Sequence, residues 1–278
     1  MITRLENPAD AAELFESFHD TMVLSCLSGM MGDVYAVAEW PLCSAVAVLG
    51  DFSFFAGQPS EELLRFQPTG QPYSLLMPQN DIWAAEIRRV FGKAVSPRTR
   101  YAFYRDASGF VPKKLREMAA LLPEGVVLSP IDDALYVRCL SEEWARDFVS
   151  NYESPEAFAR MGVGFLSLRD GEVLAGASSY SSYPGGIEIE IDTRKDQRRQ
   201  GLARACGARL MLECLERGLY PSWDAANKIS VHLAETLGYR FREEYIVYQW
   251  EKEKKNKGKR LSPLFGAEPL GIQTLLPF

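Results

Sequence analysis

The sequence predicts a mixed α+β protein. It comprises a C-terminal unit with a central, mostly antiparallel sheet flanked by helices, and an N-terminal α+β domain before it. Three observations carry this expectation. The composition, 47% hydrophobic and 24% charged, is that of a folded globular chain. The second half reads as strand, helix, helix, three strands, helix, strand, helix, strand, with hairpin signals that call for antiparallel pairing. The length, 278 residues, exceeds one domain of the usual ~100–200 residues. The turn and proline signals of LLPEGVVLSP (121–130) place the division, giving 1–128, 131–250 and a basic linker with tail at 251–278.

In the first half, residues 8–20 read as a helix, with Pro8 near its start and Leu14, Phe15 and Phe18 as an apolar stripe. SCLSGMMGDVYA (25–36) is small and punctuated by glycine. PLCSAVAVLGDFSFFAG (41–57) predicts two buried strands around a Gly50-Asp51 turn. After the Pro/Gln/Gly-rich stretch at 68–80 come a helix at 81–91, a strand at 99–105 and a helix at 113–122.

In the second half, ALYVRCL (134–140) reads as a strand, with Ser141 capping a helix after it. SPEAFARM (154–161) starts a second helix from the Ser154 cap and Pro155. VGFLSLRDGEVLAGASSYSSY (163–183) is a hairpin turning at 169–172, and Gly185-Gly186 lead into the alternating IEIEIDT (187–193). GLARACGARLMLECLERG (201–218) is a long helix with an Arg209, Glu213, Arg217 ladder on its exposed side. PSWDA is a short strand, Asn227 caps a helix that Gly238 ends, and EEYIVYQWE (243–251) closes the sheet. EKEKKNKGKR (251–260), with six basic and two acidic residues, reads as a solvated linker.

Net charge is −6 and the pI about 5.2, so neither nucleic acid nor an anionic membrane surface is an expected partner. No apolar stretch approaches the ~20 residues that cross a bilayer. Two histidines, His19 and His232, argue against a multi-histidine metal site, and no metal is expected. Five cysteines at irregular spacing form no CxxC pair and read as reduced thiols of a cytoplasmic protein.

The chemistry concentrates at Arg198-Arg199-Gln200-Gly201-Leu202-Ala203. A strand that ends in a basic, glycine-containing turn opening a helix is an anion site. Unpaired amides converge there, and the helix dipole favours negative charge. Gly201 lets a phosphate approach the backbone, and Ala203 keeps the first turn small. In this element order the string resembles the coenzyme A-binding motif, Q/R-x-x-G-x-G/A, of the GNAT superfamily of N-acetyltransferases, over roughly residues 131–250. Asn227, Ser230 and Leu237-Gly238-Tyr239 are similar to that superfamily's later N-x-x-A/S…L-G-F/Y pattern. The run from Gly201 through PSWDAAN is more specifically similar to a subgroup that includes the zwittermicin A resistance protein, as are SCLSGMMGDVYA and GDFSFFAG.

The resemblance implies acetyl-CoA as cosubstrate and a small amine as acceptor, joined by direct attack on the thioester. It implies the pyrophosphate on the amides of Arg199, Gln200, Gly201, Leu202 and Ala203 with Arg198 beside them. It also implies the pantetheine paired like a strand with Ile191, Asp192 and Thr193, and reached by Asn227 and Ser230.

An ammonium must lose a proton before it attacks, so a base is needed. Glu188, Glu190 and Asp192 alternate with Ile187, Ile189 and Ile191, which puts the carboxylates on one face of a strand. They read either as a salt-bridged, solvated face or as a catalytic one, and in the latter Glu190 is favoured because it lies closer to the turn. Asp224 is a second candidate, with a helix-capping role as its alternative. The tyrosine that the superfamily often places about seven residues after this asparagine is Ala234 here, so no general acid is implied. That departure keeps a second function open, a weak or inactive acyl-CoA-binding sensor of the same fold.

Overall fold

In the computed structural model, which describes residues 1–38, 41–66, 68 and 73–251, one order of elements occurs twice. The first copy runs β1 (Ile2–Arg4), 3-10 turns over Pro8–Phe15, α1 (Thr21–Leu27), β2 (Asp33–Val37), β3 (Ser44–Leu49), β4 (Phe52–Gly57), α2 (Glu61–Arg65), β5 (Tyr73–Pro78), α3 (Asp81–Phe91) and β6 (Val95–Phe103). A connecting helix, α4 (Pro112–Ala120), follows. The second copy is β7 (Val127–Pro130), α5 (Asp133–Ser141), α6 (Pro155–Met161), β8 (Gly164–Arg169), β9 (Glu172–Tyr183), β10 (Gly186–Thr193), α7 (Leu202–Glu216), β11 (Tyr220–Ser222), β12 (Asp224–Ala225), α8 (Lys228–Leu237) and β13 (Phe241–Glu251). Part of the 68–80 stretch and everything after Glu251, including most of the basic run, lie outside the described residues.

The strands form two sheets, ordered β1-β2-β3-β4-β5-β13-β6-β12 and β11-β10-β9-β8-β7. Each holds one parallel pair, β4 with β5 and β10 with β11, and is otherwise antiparallel. The fold is thus the mixed α+β, antiparallel-dominated arrangement with flanking helices that the sequence predicts. The last strands are exchanged between the copies. β13 lies between β5 and β6 of the first copy, and β6 lies between β13 and β12 of the second.

The exchange locks the copies face to face. One core sits between them, where Met22 and Cys26 of α1 and Phe52 and Phe54 of β4 pack with Phe148, Tyr152, Leu166 and Tyr180. A second lies under α7, joining Cys206, Leu210 and Cys214 to Ile187 and Ile189 of β10. The third holds Trp83 and Ile87 of α3 against Phe55 and Leu76. The five cysteines are free and four are buried. Among the described residues no helix is long and apolar enough to cross a membrane.

Three local expectations differ. Residues 134–140 are helical, because Asp132 accepts from the Leu135 amide at 2.9 Å and buries Tyr136 and Cys139 at helical spacing while Val137 faces solvent. Ser141 therefore ends α5, and only a 3-10 turn at Arg146–Phe148 follows. The expected 8–20 helix is only a run of 3-10 turns over Pro8–Phe15, and a separate helix, α1, begins after it at Thr21 with Asp20 as its cap. Elsewhere the caps fall as read, with Ser154 on the Ala157 amide and Asn227 on the amides of Ile229 and Ser230.

Candidate active site

The cleft exists because β10 and β11 part company. They pair only over Gly186–Glu188 and Tyr220–Ser222, after which the chain turns through Trp223 and β12 joins β6 of the other sheet. The outer edge of β10 from Ile189 to Thr193, which includes Ile191, Asp192 and Thr193, keeps its backbone groups free of a strand partner on that side. An extended ligand fits such an edge.

At the end of β10 the turn into α7 is shaped for an anion. Arg199 and Gly201 both have positive φ, 64° and 79°. Gly201 occupies the N-cap position and offers no side chain to the amides of Leu202 and Ala203. Arg198 folds back, its Nε donating to the Thr193 carbonyl at 3.2 Å and its head 3.5 Å from Asp192, while Gln200 donates to Gln197. Arg204 adds a residue that the motif did not single out, with Nε buried and without a hydrogen-bond partner among the described residues. An orphaned guanidinium donor beside uncapped amides fits a pyrophosphate. Among the described residues the first copy has no such cradle. There Ser60 caps α2, and Glu61 and Glu62 occupy its first turn.

Across the cleft, Asn227 spends Oδ1 as the cap of α8, at 3.0 Å from two amides, which leaves its Nδ2 to donate elsewhere. Ser230 Oγ accepts from Trp223 Nε1 at 3.1 Å. Ala234 is fully buried within the core beneath α7, so no hydroxyl could reach the cleft from that position without leaving the core. His232 is exposed.

The three carboxylate candidates differ in their partners. The isoleucines of β10 do pack toward α7, and Glu188 and Glu190 line a cavity of 610 Å³ on the opposite face. Glu188 is 6% exposed. Its Oε2 accepts from Thr21 Oγ1 at 2.5 Å and its Oε1 has no hydrogen-bond partner among the described residues. Asp224 has both oxygens engaged, Oδ1 by Arg100 Nε and Oδ2 by the Tyr245 hydroxyl at 2.8 Å, and does not cap α8. Burial raises its pKa and Arg100 opposes the rise.

Glu190 is half-buried and accepts no hydrogen bond among the described residues. Burial, then the charges of Asp147, Asp192 and Asp51, push it up to about 8. The cavity carries five carboxylates, those of Asp51, Asp147, Glu188, Glu190 and Asp224, against the two guanidiniums of Arg98 and Arg100. Acidic groups thus outnumber basic ones in its lining.

Asp20, Thr21, Asp51, Arg100 and Tyr245 are site residues that sequence reasoning missed. Four come from the first copy as single side chains in apolar or turn contexts, with no motif around them. Asp51 is aimed by Tyr180, whose hydroxyl donates to its carboxylate. Tyr180 is the extra residue where the register shifts between Glu188/Ile189 and Ser181/Ser179.

A strand pair that splays beside an uncapped, arginine-rich helix start is the arrangement expected of an N-acetyltransferase fold. The chain belongs to the GNAT acetyltransferase family, whose sequence model matches residues 12–248. It is 44% identical to a GCN5-related N-acetyltransferase-like protein from Streptococcus suis. That crystal structure matches 88% of this chain and 99% of its own, with a TM-score of 0.84. An uncharacterized N-acetyltransferase of Bacillus subtilis, YdfB, is 28% identical over 175 residues, and the match spans 62% of this chain and 64% of that protein. A tandem GNAT protein from the clavulanic acid biosynthesis pathway, 12% identical, shares the fold over 90% of this chain and 98% of its own, with a TM-score of 0.52. Among the described residues no cluster of His, Cys, Asp and Glu has the make-up of a metal site.

Proposed function

We propose that the protein transfers the acetyl group of acetyl-CoA to a primary amine of a small cationic molecule, with Glu190 as general base. The observation that carries this reading is the state of Glu190, a carboxylate with no hydrogen-bond partner among the described residues, pushed up to about 8 where β10 leaves β11. A base needs a free lone pair and an affinity for protons near the working pH. Glu188 has one oxygen committed to Thr21, and Asp224 has both oxygens committed.

When bound, acetyl-CoA supplies an activated thioester carbonyl. The chain's own groups do the rest. The amides from Arg199 to Ala203, with Arg198 and Arg204, hold phosphate charge. The free edge of β10 at Ile191, Asp192 and Thr193 aligns an amide-bearing arm, Asn227 Nδ2 donates to it from α8, and Ser230 lies beside it. The acidic cavity gathers the ammonium and Glu190 takes its proton. The similarity to the zwittermicin A resistance subgroup points to an aminated small molecule as acceptor. Five free cysteines fit a cytoplasmic site of action.

A thiol-release screen over aminoglycosides, polyamines, amino acids and peptide amines tests the reading, beside the melting temperature with and without acetyl-CoA. Release with at least one amine, lost in Glu190→Gln, is expected. The buried Ala234 favours the second reading, a binding module without turnover. It predicts a thermal shift with acetyl-CoA and no release with any amine. No shift at millimolar acetyl-CoA overturns both.

A further inference from the structure

The reaction just described leaves a second cavity without a task. It has a volume of 340 Å³ and touches the first at Glu188, Trp223, Asp224 and Val247. Asp20 stands in its wall, with Tyr104 and Tyr245 among its aromatic lining.

The charges in this wall do not balance. Asp224 is taken by Arg100, and Arg242 pairs with Glu243 at 3.1 Å. Arg105 lies over the rings of Tyr183 and Tyr220, at 5.2 and 5.4 Å from their centroids. Asp20 uses Oδ1 to cap α1 at the Met22 amide, 2.9 Å away, and Oδ2 has no partner among the described residues. Glu188, 6% exposed, leaves Oε1 without one as well. Burial raises the pKa of both carboxyls, and the charge of Asp20 adds to the rise at Glu188. A buried, unpartnered carboxylate is costly unless a cation completes it, and aromatic walls suit an ammonium on an apolar stem.

We propose that this cavity receives a second ammonium of the acceptor, held between Asp20 and Glu188, so that the preferred substrates are primary amines carrying another cationic nitrogen. The inference rests on the acetyl-transfer reading with Glu190 at the reacting amine. Glu188 and Glu190 are two residues apart on β10, about 7 Å at ~3.3 Å per residue. The two nitrogens of a good acceptor therefore stand about that far apart.

The test compares α,ω-diamines of graded length with n-alkyl monoamines of the same lengths in the thiol-release assay. It repeats the comparison in Asp20→Asn, which keeps an N-cap of equal quality so that α1 still forms. Calorimetric titration of both proteins with 1,5-diaminopentane and with n-pentylamine, without acetyl-CoA, reads binding independently of turnover. The best diamine is expected to exceed its monoamine about tenfold or more in kcat/KM and in affinity, and Asp20→Asn to remove most of that ratio. Equal values for the two amines, or a ratio that survives Asp20→Asn, overturn the proposal even if acetylation proceeds. If no amine is acetylated while the Asp20-dependent binding preference holds, the acetyl-transfer reading fails and the second-cation pocket stands.

Discussion

Glu188, Glu190 and Asp224 are separated in function by what each one already holds. The alternation of IEIEID was enough to place two of them on one face, but Thr21, which holds Glu188, and Arg100, which holds Asp224, lie more than a hundred residues upstream and leave no local trace. Glu190→Gln should lower kcat by about 10²-fold or more, the usual share of a general base, with a smaller change in the KM for acetyl-CoA. Because the base must be ionised, kcat/KM of the wild type should rise with pH up to about 8, and the variant should lose that limb. Stability should change in the opposite sense. The folded-state pKa lies above the ordinary 4.5, so this group's contribution is fully present below pH 4.5 and is lost as pH rises to about 8. Thermal melts of Glu190→Gln should therefore show a smaller fall in Tm between pH 5 and 8.5 than those of the wild type. An equal fall would mean that the carboxyl ionises freely in the folded protein.

Elements were legible where short-range chemistry determines them. The hairpins, the caps at Ser154 and Asn227, and the helix opening at Gly201 all depend on a few adjacent residues. The 134–140 helix was missed because ALYVRCL has no strong period, and its cap, Asp132, lies just outside the segment. The turn into α7 depends on a backbone that side chains disfavour. Gly201→Ala, at φ 79°, should cost about 1 kcal/mol of stability and weaken acetyl-CoA binding, read as a raised KM for acetyl-CoA with a lesser change for the amine. At the start of α8 a pair of variants divides the two roles of Asn227. Asn227→Ala should lose about 1 kcal/mol with the cap. Asn227→Asp keeps the cap but loses the Nδ2 donor, so it should melt near the wild type while raising the KM for acetyl-CoA. If both variants move only Tm, Asn227 is a cap and nothing more.

At the scale of the whole molecule, the repeated element order raises the question of why two copies are kept when only the second has the anion cradle. The answer lies in the cleft, where Asp51, Arg100 and the Thr21 that fixes Glu188 all come from the first copy. Nothing local in the chain signals this, because turn residues at 121–130 are visible in a sequence whereas strand pairing across them is not. β6 has both its neighbours in the second copy, and β13 has both of its neighbours in the first. A chain cut at the division would expose two long strand edges and the apolar core that α1 and β4 share with β9. Residues 1–122 and 123–278 expressed separately are accordingly expected to be insoluble or unfolded. Co-expressed as two chains, they should assemble one-to-one and recover acetyl-CoA binding. The intact protein should melt in a single transition whether followed by far-UV circular dichroism or by tryptophan fluorescence, since Trp83 lies in the first copy and Trp144 and Trp223 in the second. Two separated transitions, or a soluble second half that binds acetyl-CoA alone, would show that the exchanged strands pair without binding the copies into one cooperative unit.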